Sequence, residues 1–359
     1  MKDLQDLINF LEPDNTFLDE PLSKHTTLRI GGPADVLYRA KNIEELIRVI
    51  RRANELSIPV TILGWGSNVL VSDKGIRGLV IKNETGEIEI SKDVPSPTAI
   101  TVPPLRKYKE GTKKILSRWQ SDSEKGTFKY EFGDLDYDES GFPRVRVSMD
   151  SGVSLPKAIN SLIEEGVTGL QWYARIPGTI GGAVFNNIHG GTHFISEVIK
   201  SVRTINKSGV IKEFSGKELG LAYDKSRFHD SEEIILEVEF ELFKGDVLRA
   251  KEVAMEWAKR KSLQPPRSAG CTFKNISNGD KERLNFPTTS AGYIVEHVLK
   301  LGGRKVGGAK ISTAHHNFIV NDGGATARDY MELLNLIRDE TKKMLKIDLV
   351  PEMILLGEF

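Results

Sequence analysis

The chain has 359 residues, which is more than one typical domain, and its 39% hydrophobic content is enough to form two or three modest cores. Its 50 basic residues balance its 50 acidic residues, so net charge gives no support for a nucleic-acid surface or an acidic solvating tail. We therefore expect more than one domain and a small-molecule partner.

Cysteine usage and the N-terminus indicate a compartment. Cys271 is the only cysteine, which excludes an internal disulfide framework and fits a reducing environment. The amphipathic N-terminus lacks the apolar core of a signal peptide, and no run of about 18 apolar residues offers a membrane span. No cluster of Cys and His suggests a metal. We expect a cytoplasmic protein without a metal site or membrane contact.

Helix and strand signals alternate over the first 83 residues. Residues 2–12 predict a short helix that stops before Pro13. After a strand at 36–40, Asn42 and Glu45 form a capping-box pattern ahead of an apolar stripe. Strands at 58–62, 69–71 and 78–81 then complete a βαββ arrangement, which predicts a small α+β domain.

Residues 85–143 differ in character. Prolines at 95–104 break regular structure, basic residues collect at 106–118, and acidic residues collect at 131–139. We interpret residues 91–143 as a solvated insertion or mobile loop that is peripheral to the chemistry, and we prefer this to a docking patch.

The remaining elements alternate again after the insertion. They are predicted as a strand at 144–148, a helix at 155–165, a hairpin around Ser208-Gly209, a strand at 234–243, helices at 247–261, 290–297 and 325–345, and a last strand at 349–356. Thr326 with Asp329 caps the longest helix. Pro351 makes the last strand an edge strand or a bulged one.

Two glycine-rich stretches follow apolar, strand-like runs, at 63–68 and 170–192. The second contains five glycines and a proline. Since glycine has no Cβ, such a backbone can approach a large flat or phosphorylated ligand closely. Ordinary tight turns are the alternative for one such stretch, but the pair favours one extended ligand held from two sides.

Several segments match a known family in the family's own order. They are residues 25–35, 63–81, 169–182, 270–275, 291–309, 317–321 and Pro351-Glu352. With these motifs the chain resembles the UDP-N-acetylenolpyruvoylglucosamine reductase family, flavoenzymes that complete muramic acid synthesis for peptidoglycan. The resemblance covers nearly the whole chain apart from the insertion.

The resemblance implies an α+β fold: a two-subdomain FAD-binding unit of the vanillyl-alcohol-oxidase type, followed by a smaller α+β substrate-binding domain. Carried onto this chain, the FAD-binding subdomains are 1–83 and 84–245, the second with the charged insertion. The substrate-binding domain is 246–345, and 346–359 is a C-terminal strand carrying Glu352.

The family uses FAD and NADPH, and it implies a role in cell wall biogenesis, cell shape and cell division. NADPH and a nucleotide-sugar substrate would occupy one pocket in turn, in a monomer that binds no nucleic acid. No GxGxxG fingerprint lies between a strand and a helix. The resemblance assigns FAD binding to Gly64, Trp65, Gly66, Ser67, Asn68, Ile176, Pro177, Gly178, Thr179, Gly181 and Gly182.

The family reaction reduces an enolpyruvyl alkene and leaves carbanion character that must be protonated, which requires a nearby acid and nearby cations. Cys271 stands where the family has its proton-donating serine, and a thiol has the lower reference pKa. A small buried hydrophobe is the alternative for this cysteine. Glu352 matches the family's glutamate. The resemblance assigns substrate contacts to Tyr223, Arg227, Lys274 and Asn275.

Two departures from the family pattern stand near these motifs. Asp224 replaces the family's catalytic arginine after Tyr223, and Arg175 precedes the second glycine turn where the family has a small residue. We expect Arg175 to supply the missing guanidinium, with Arg227 as second choice. His189 and His193 also depart, and either one contacts flavin or phosphate or is a loop histidine without a fixed role.

Three functions follow in order of preference. The first is an NADPH-dependent reductase of UDP-N-acetylglucosamine enolpyruvate. The second is a related flavin oxidoreductase acting on another sugar or hydroxy acid, which the departures at Asp224 and the histidines suggest. The third is a flavin or nucleotide-sugar binding protein without catalysis, and the persistence of Cys271 and Glu352 argues against it.

Overall fold

The computed structural model describes residues 2–91 and 135–359. Its N-terminal part is a four-stranded sheet with strand order β1-β2-β5-β3, in which β2, β5 and β3 are parallel and β1 is antiparallel to β2. The elements are α1 (Lys2–Phe10), β1 (Thr16–Pro21), β2 (Pro33–Ala40), α2 (Ile43–Glu55), β3 (Val60–Leu63), β4 (Val69–Val71) and β5 (Ile76–Asn83).

Helix α2 begins after the predicted cap, Asn42, but the predicted capping box is incomplete, because the Glu45 side chain accepts the N–H of Lys41 at 2.9 Å and not that of Asn42. The side chain of Asn42 accepts a hydrogen bond from the backbone N–H of Glu45 at 2.8 Å, which satisfies one free donor of the first turn. Leu46, Val49 and Ile50 are buried in the core that the helix shares with β2 and β5. This packing confirms the predicted apolar stripe.

Strand β4 differs from its prediction. It leaves the sheet of β5 and pairs in parallel with β16 (Ile354–Leu356), with Val69 opposite Ile354. The expected βαββ arrangement is therefore wrong at its third strand, because β4 finds its partner at the opposite end of the chain. The pairing attaches the C-terminal segment to the turn between β3 and β4.

A second, antiparallel sheet has strand order β11-β10-β12-β7-β6. Three helices and a separate two-stranded sheet, β8-β9, belong to the same part of the chain. The elements are β6 (Ile88–Ile90), β7 (Arg144–Asp150), α3 (Leu155–Glu164), α4 (Ile180–Phe185), β8 (His189–Gly190), β9 (His193–Phe194), β10 (Ile199–Ile205), β11 (Ile211–Ser215), β12 (Ile234–Phe243) and α5 (Val247–Lys261). The predicted hairpin is confirmed, with Val202 opposite Phe214.

The end of the supposed insertion is not solvated. Leu135, Tyr137 and Glu139 are buried, whereas Asp138 between them is exposed. The alternation places every second side chain in the core of the second sheet, and the run of acidic residues hides this pattern in the sequence. The solvated-insertion prediction is therefore wrong for residues 135–142, and residues 92–134 of that prediction lie outside the described part of the chain.

The third part of the chain surrounds a small antiparallel sheet, β13-β14-β15. Its elements are α6 (Asn278–Arg283), α7 (Ala291–Tyr293) continued by a π-helix (Ile294–Val298), β13 (Lys305–Val306), β14 (Ala309–Ile311), β15 (Ile319–Asn321) and α8 (Ala327–Leu345). The capping box of Thr326 and Asp329 is present, as predicted. The helix predicted at 290–297 is instead one α-helical turn that widens into a π-helix, where Leu299 N–H reaches Ile294 O at 2.9 Å.

Helix α5 packs on the second sheet. Ala250, Val253 and Trp257 lie in the same core as the strands β7 and β12. The predicted division of the chain into 1–83, 84–245, 246–345 and 346–359 stays a proposal, and this packing favours a boundary after α5. In residues 2–91 and 135–359, no helix has the length and apolar character needed to cross a membrane.

Candidate active site

Backbone pairing between two distant segments brings Cys271 and Glu352 together. The N–H of Glu352 donates to the carbonyl of Thr272 at 3.0 Å, and the N–H of Lys274 donates to the carbonyl of Val350 at 2.9 Å. These two hydrogen bonds surround an isolated antiparallel bridge between Phe273 and Pro351. This pairing joins the two segments next to Cys271 and Glu352, and so sets the main-chain positions from which the thiol and the carboxyl extend.

The thiol of Cys271 is half-buried and protonated at neutral pH. Burial raises its pKa well above the usual range, and Glu352 adds to this effect once its carboxyl is ionised, against the smaller opposing effects of Lys261 and a hydrogen bond with Asn317. Asn317 is itself fixed, since its amide donates to Phe273 O at 2.8 Å. A neutral thiol in this place can donate a proton.

The carboxyl of Glu352 holds its proton at neutral pH. Burial, followed by the charge of Asp224, raises its pKa to about 8, while Lys274 and Lys261 act in the opposite direction. Two groups of the predicted site, Cys271 and Glu352, are thus neutral acids beside two lysines. This arrangement suits protonation of a carbanion.

Lys261 is a basic residue near these two acids that the sequence reasoning missed. It is the last residue of α5, its Nζ lies 5.4 Å from the centre of the Trp257 ring, and its pKa is lowered by burial and raised by Cys271 and Glu352. A lysine in the last turn of a helix is usually read as a solvated partner of the helix dipole. Its position shortly before the Cys271 motif is the signal that could have identified it.

A tight turn presents Tyr223 and Asp224 to this site. Ala222 and Lys225 exchange both backbone hydrogen bonds around the turn, at 2.9 and 3.2 Å. The Nζ of Lys274 donates to the backbone carbonyl of Asp224 at 3.0 Å. The predicted substrate residues Tyr223 and Lys274 are thereby brought together, with Asp224 between them.

Arg227 has partners of its own. Its Nε donates to Glu233 at 3.1 Å, and its guanidinium lies over the Phe214 ring at 3.8 Å. These contacts hold the guanidinium of Arg227 against β11 of the second sheet. Its role as a substrate residue stays a prediction.

Arg175 and Asn275 are both exposed. Arg175 has a left-handed backbone, with φ of 70°, and forms no hydrogen bond or ion pair with the residues that the structure describes. A free guanidinium at the edge of the second glycine turn is available to a ligand. The catalytic role of Arg175 and the substrate contact of Asn275 stay proposals.

The two loop histidines have different surroundings. His193 stacks on Trp172 with ring centres 4.1 Å apart, and its two ring nitrogens lie 3.6 Å from Asp136 and 3.3 Å from Glu197. It therefore fastens the end of the insertion to the loop. The ring of His189 instead lies 5.4 Å from that of Tyr223, at the site.

The two glycine turns pack against each other. Ser67 Oγ donates to the carbonyl of Pro177 at 2.7 Å, and a Cβ on Gly64 would lie 2.7 Å from Thr179 Oγ1. Gly66 has φ of 63°, and a Cβ there would lie 2.4 Å from the carbonyl of His25. The missing side chains thus allow close contact between turns as well as approach to a ligand.

Beside the first turn is a cavity of about 720 Å³ that suits an anionic dinucleotide. Trp65 lines it together with His25, one acid, Glu84, and five lysines and arginines, which are Lys24, Arg29, Lys82, Lys157 and Arg267. The Nζ of Lys82 donates to Gly64 O, and burial lowers the pKa of Lys82 to about 8. The basic lining and the ring of Trp65 fit the diphosphate and an aromatic part of FAD. Of the eleven residues predicted to bind FAD, all in the described part of the chain, Trp65 lines this cavity and the other ten do not. The basic residues were not among the predictions, because they come from separate segments.

Comparisons with known proteins agree with this description. Residues 261–356 match the model of the UDP-N-acetylenolpyruvoylglucosamine reductase C-terminal domain, and residues 135–215 match an FAD binding domain. The chain is 32% identical to the UDP-N-acetylenolpyruvoylglucosamine reductase of Lachnoclostridium phytofermentans, over 99% of this chain and 97% of the relative. It is also 32% identical to that of Carboxydothermus hydrogenoformans, over 95% and 93%.

A solved structure supports the fold. The crystal structure of UDP-N-acetylenolpyruvylglucosamine reductase from Thermus caldophilus is similar with a TM-score of 0.66 and 27% identity, covering 95% of this chain and 98% of that one. The fold and the matched FAD domain define a flavoprotein oxidoreductase, which confirms the α+β fold class and FAD as cofactor. The chain belongs to the UDP-N-acetylenolpyruvoylglucosamine reductase family.

Proposed function

We propose that the protein uses NADPH to reduce UDP-N-acetylglucosamine enolpyruvate to UDP-N-acetylmuramate during peptidoglycan precursor synthesis. The observation that carries this proposal is the backbone pairing of the Cys271 and Glu352 segments, which sets two neutral acids beside Lys261 and Lys274. The curated relatives that bear the reductase name match the chain along almost its whole length.

The cofactor would lie in the basic cavity. Lys82, Lys157 and Arg267 would bind the diphosphate of FAD, and the glycine turns 64–68 and 176–182 would adjoin it. Bound FAD would supply the transfer of a hydride equivalent from NADPH to the enolpyruvyl alkene. The chain's own task is then to orient the nucleotide sugar, exclude water and complete the reduction with a proton.

Cys271 would provide that proton. The S–H bond breaks as a C–H bond forms at the carbon beside the carboxylate, and the sulfur keeps the electron pair as a thiolate. Lys261 stabilises this thiolate, since its positive charge acts on the sulfur. Water or Glu352 then returns a proton to the sulfur before the next turnover.

Negative charge that develops on the substrate carboxylate requires cations. Lys274, held by its hydrogen bond to Asp224 O, and Lys261 would lie on one side, and Arg175 would approach from the second glycine turn. Tyr223, Arg227 and Asn275 would contact the substrate elsewhere. We include in the proposal a monomer in the cytoplasm that binds no nucleic acid.

A two-step test addresses this function. The purified yellow protein is reduced by NADPH without oxygen, and its flavin absorbance is followed after addition of the enolpyruvyl nucleotide sugar. We expect bleaching followed by rapid return of colour and formation of UDP-N-acetylmuramate. Return of colour only with another acceptor would support a related oxidoreductase, and protein inert to both reagents would support a binding protein.

A further inference from the structure

One polar atom in this site lacks a partner. The Oδ2 atom of Asp224 is buried and accepts no hydrogen bond from the residues that the structure describes. A buried carboxylate oxygen without a donor is costly, so such atoms in folded proteins are usually satisfied by water or by a ligand. In the family this position holds an arginine, so its role cannot be carried over to Asp224.

The main chain around Asp224 is fixed. The turn is closed by two hydrogen bonds between Ala222 and Lys225, Asn187 donates to Ala222 O at 2.9 Å, and Lys274 donates to Asp224 O at 3.0 Å. Asp224 has φ of 47°, a conformation that aspartate tolerates well among residues other than glycine. The main chain from which the carboxylate extends is therefore fixed at the site.

The charges around Asp224 determine what it can bind. Its negative charge acts on the nearby acids Glu352 and Cys271, while His189 and Lys274 partly balance it. An anionic group such as a phosphate or a carboxylate would be repelled at this point. A neutral O–H or N–H group would instead donate the hydrogen bond that Asp224 Oδ2 lacks.

We propose that Asp224 is a specificity-determining residue whose Oδ2 accepts a hydrogen bond from a neutral O–H or N–H group on the sugar of the bound nucleotide sugar. The inference rests on the proposed function. A site built to hydrogen-bond a substrate hydroxyl rejects an analogue that lacks it strongly, because its own polar group then stays unpaired. Asp224 would thus orient the sugar toward the 222–225 turn, and the anionic groups of the substrate would then face Lys261 and Lys274.

The first experiment compares Asp224→Asn with the matched control Asp230→Asn. Asp230 is an exposed aspartate near the same turn, paired with Lys225 at 3.1 Å. Dissociation constants of the enolpyruvyl nucleotide sugar are measured by the change in flavin absorbance of the oxidised holoenzyme. We expect Asp224→Asn to weaken binding about tenfold, the loss of a charge-assisted hydrogen bond, and Asp230→Asn to leave it unchanged.

The second experiment identifies the donor. Analogues in which each free sugar hydroxyl in turn is replaced by fluorine, or the amide N–H by an ester oxygen, are titrated against the parent enzyme and Asp224→Asn. For the recognised group, the parent should lose about tenfold or more in affinity, and the variant should lose much less.

The outcomes separate the two proposals. A parent holoenzyme that NADPH bleaches but the enolpyruvyl nucleotide sugar does not reoxidise contradicts the proposed function. A parent that turns over normally, with Asp224→Asn binding as tightly or more tightly, contradicts the role of Asp224 alone, since tighter binding would mean that the carboxylate only repels the anionic substrate. Retention of FAD and a parent-like midpoint of urea unfolding show that the variant is folded.

Discussion

The side-chain amide of Asn68 donates a hydrogen bond to the backbone carbonyl of Glu352 at 3.4 Å. The carbonyl of Asn68 in turn accepts the N–H of Ile354 at 3.0 Å, where β16 begins beside β4. The first glycine turn and the Glu352 segment are therefore joined directly. These hydrogen bonds connect a turn of the predicted FAD site to the main chain that carries the Glu352 carboxyl.

The pH dependence of turnover tests Glu352. Its pKa of about 8 means that the carboxyl is protonated at neutral pH and loses its proton as pH rises through about 8. If that proton supports the reaction, kcat/KM should fall above pH 8 in the parent enzyme. Glu352→Gln should lower kcat by about 100-fold and remove this part of the profile, within the range typical of general acids. A parent-like profile in Glu352→Gln would contradict the assignment.

The same group affects folding in a defined direction. Its pKa is higher in the folded state than in the unfolded state, so its contribution to stability is fully present below the ordinary value of 4.5 and is lost as pH rises to about 8. Between these limits the parent should lose free energy of unfolding relative to Glu352→Gln. Urea unfolding at pH 5 and at pH 8 measures the difference.

Variants of Cys271 test the proton donor. Cys271→Ala should lower kcat by about 100-fold or more, while reduction of the flavin by NADPH proceeds at the parent rate. Cys271→Ser restores the residue of the family and should retain much more activity than the alanine variant. Equal activity in the parent and Cys271→Ala would contradict the role as proton donor and would leave Cys271 as a small buried residue that only packs.

Local patterns in the sequence predicted most of the fold. The caps at Asn42 and Thr326 and the hairpin around Ser208-Gly209 are confirmed because each depends on residues a few positions apart. The pairing of β4 with β16 joins the two ends of the chain, and no local pattern reports it. Long-range pairing decides which sheet a short apolar strand joins.

The proximity of residues was predictable where a motif contains them. The motifs placed Cys271, Glu352 and Lys274, and the structure brings these three together. Lys261 escaped notice because a lysine at a helix end has an ordinary explanation, and burial against Trp257 appears only after folding. The burial of Tyr137 and Glu139 was also missed, because the acidic residues around them suggested a solvated segment.

Two cations compete for the role of the family's arginine. Lys261→Met should lower kcat by about 100-fold, because its charge acts on both the thiol and the carboxyl. Arg175→Ala should lower kcat by about tenfold, since solvent around the exposed guanidinium weakens its electrostatic interaction with the substrate. Steady-state kinetics with both variants gives the ranking. Parent-like turnover in Arg175→Ala would remove that residue from the site.

Lys82 should contribute to cofactor binding. Lys82→Met is expected to weaken FAD binding by about tenfold, because it removes a partly buried cation from the basic cavity. Lys212→Met, at an exposed position on β11, is the control. Since the pKa of Lys82 is about 8, FAD affinity of the parent should decline as pH rises above 8, and the variant should lack that decline. Fluorescence titration of the apoprotein measures both effects.

Leu135 tests whether the end of the supposed insertion belongs to the core. Its side chain is fully buried among residues of the second sheet, whereas that of Leu18 on β1 is 55% exposed. Leu135→Ala should therefore reduce the free energy of unfolding by about 2–5 kcal/mol, through lost burial and the cavity that remains. Leu18→Ala, the same chemical change, should cost less than about 1 kcal/mol. Urea unfolding at one fixed FAD concentration compares them, because bound cofactor itself shifts the midpoint. Equal losses in the two variants would mean that residues 135–142 detach without disturbing the core, and the packing of Tyr137 and Glu139 would then have no bearing on the stability of the second sheet.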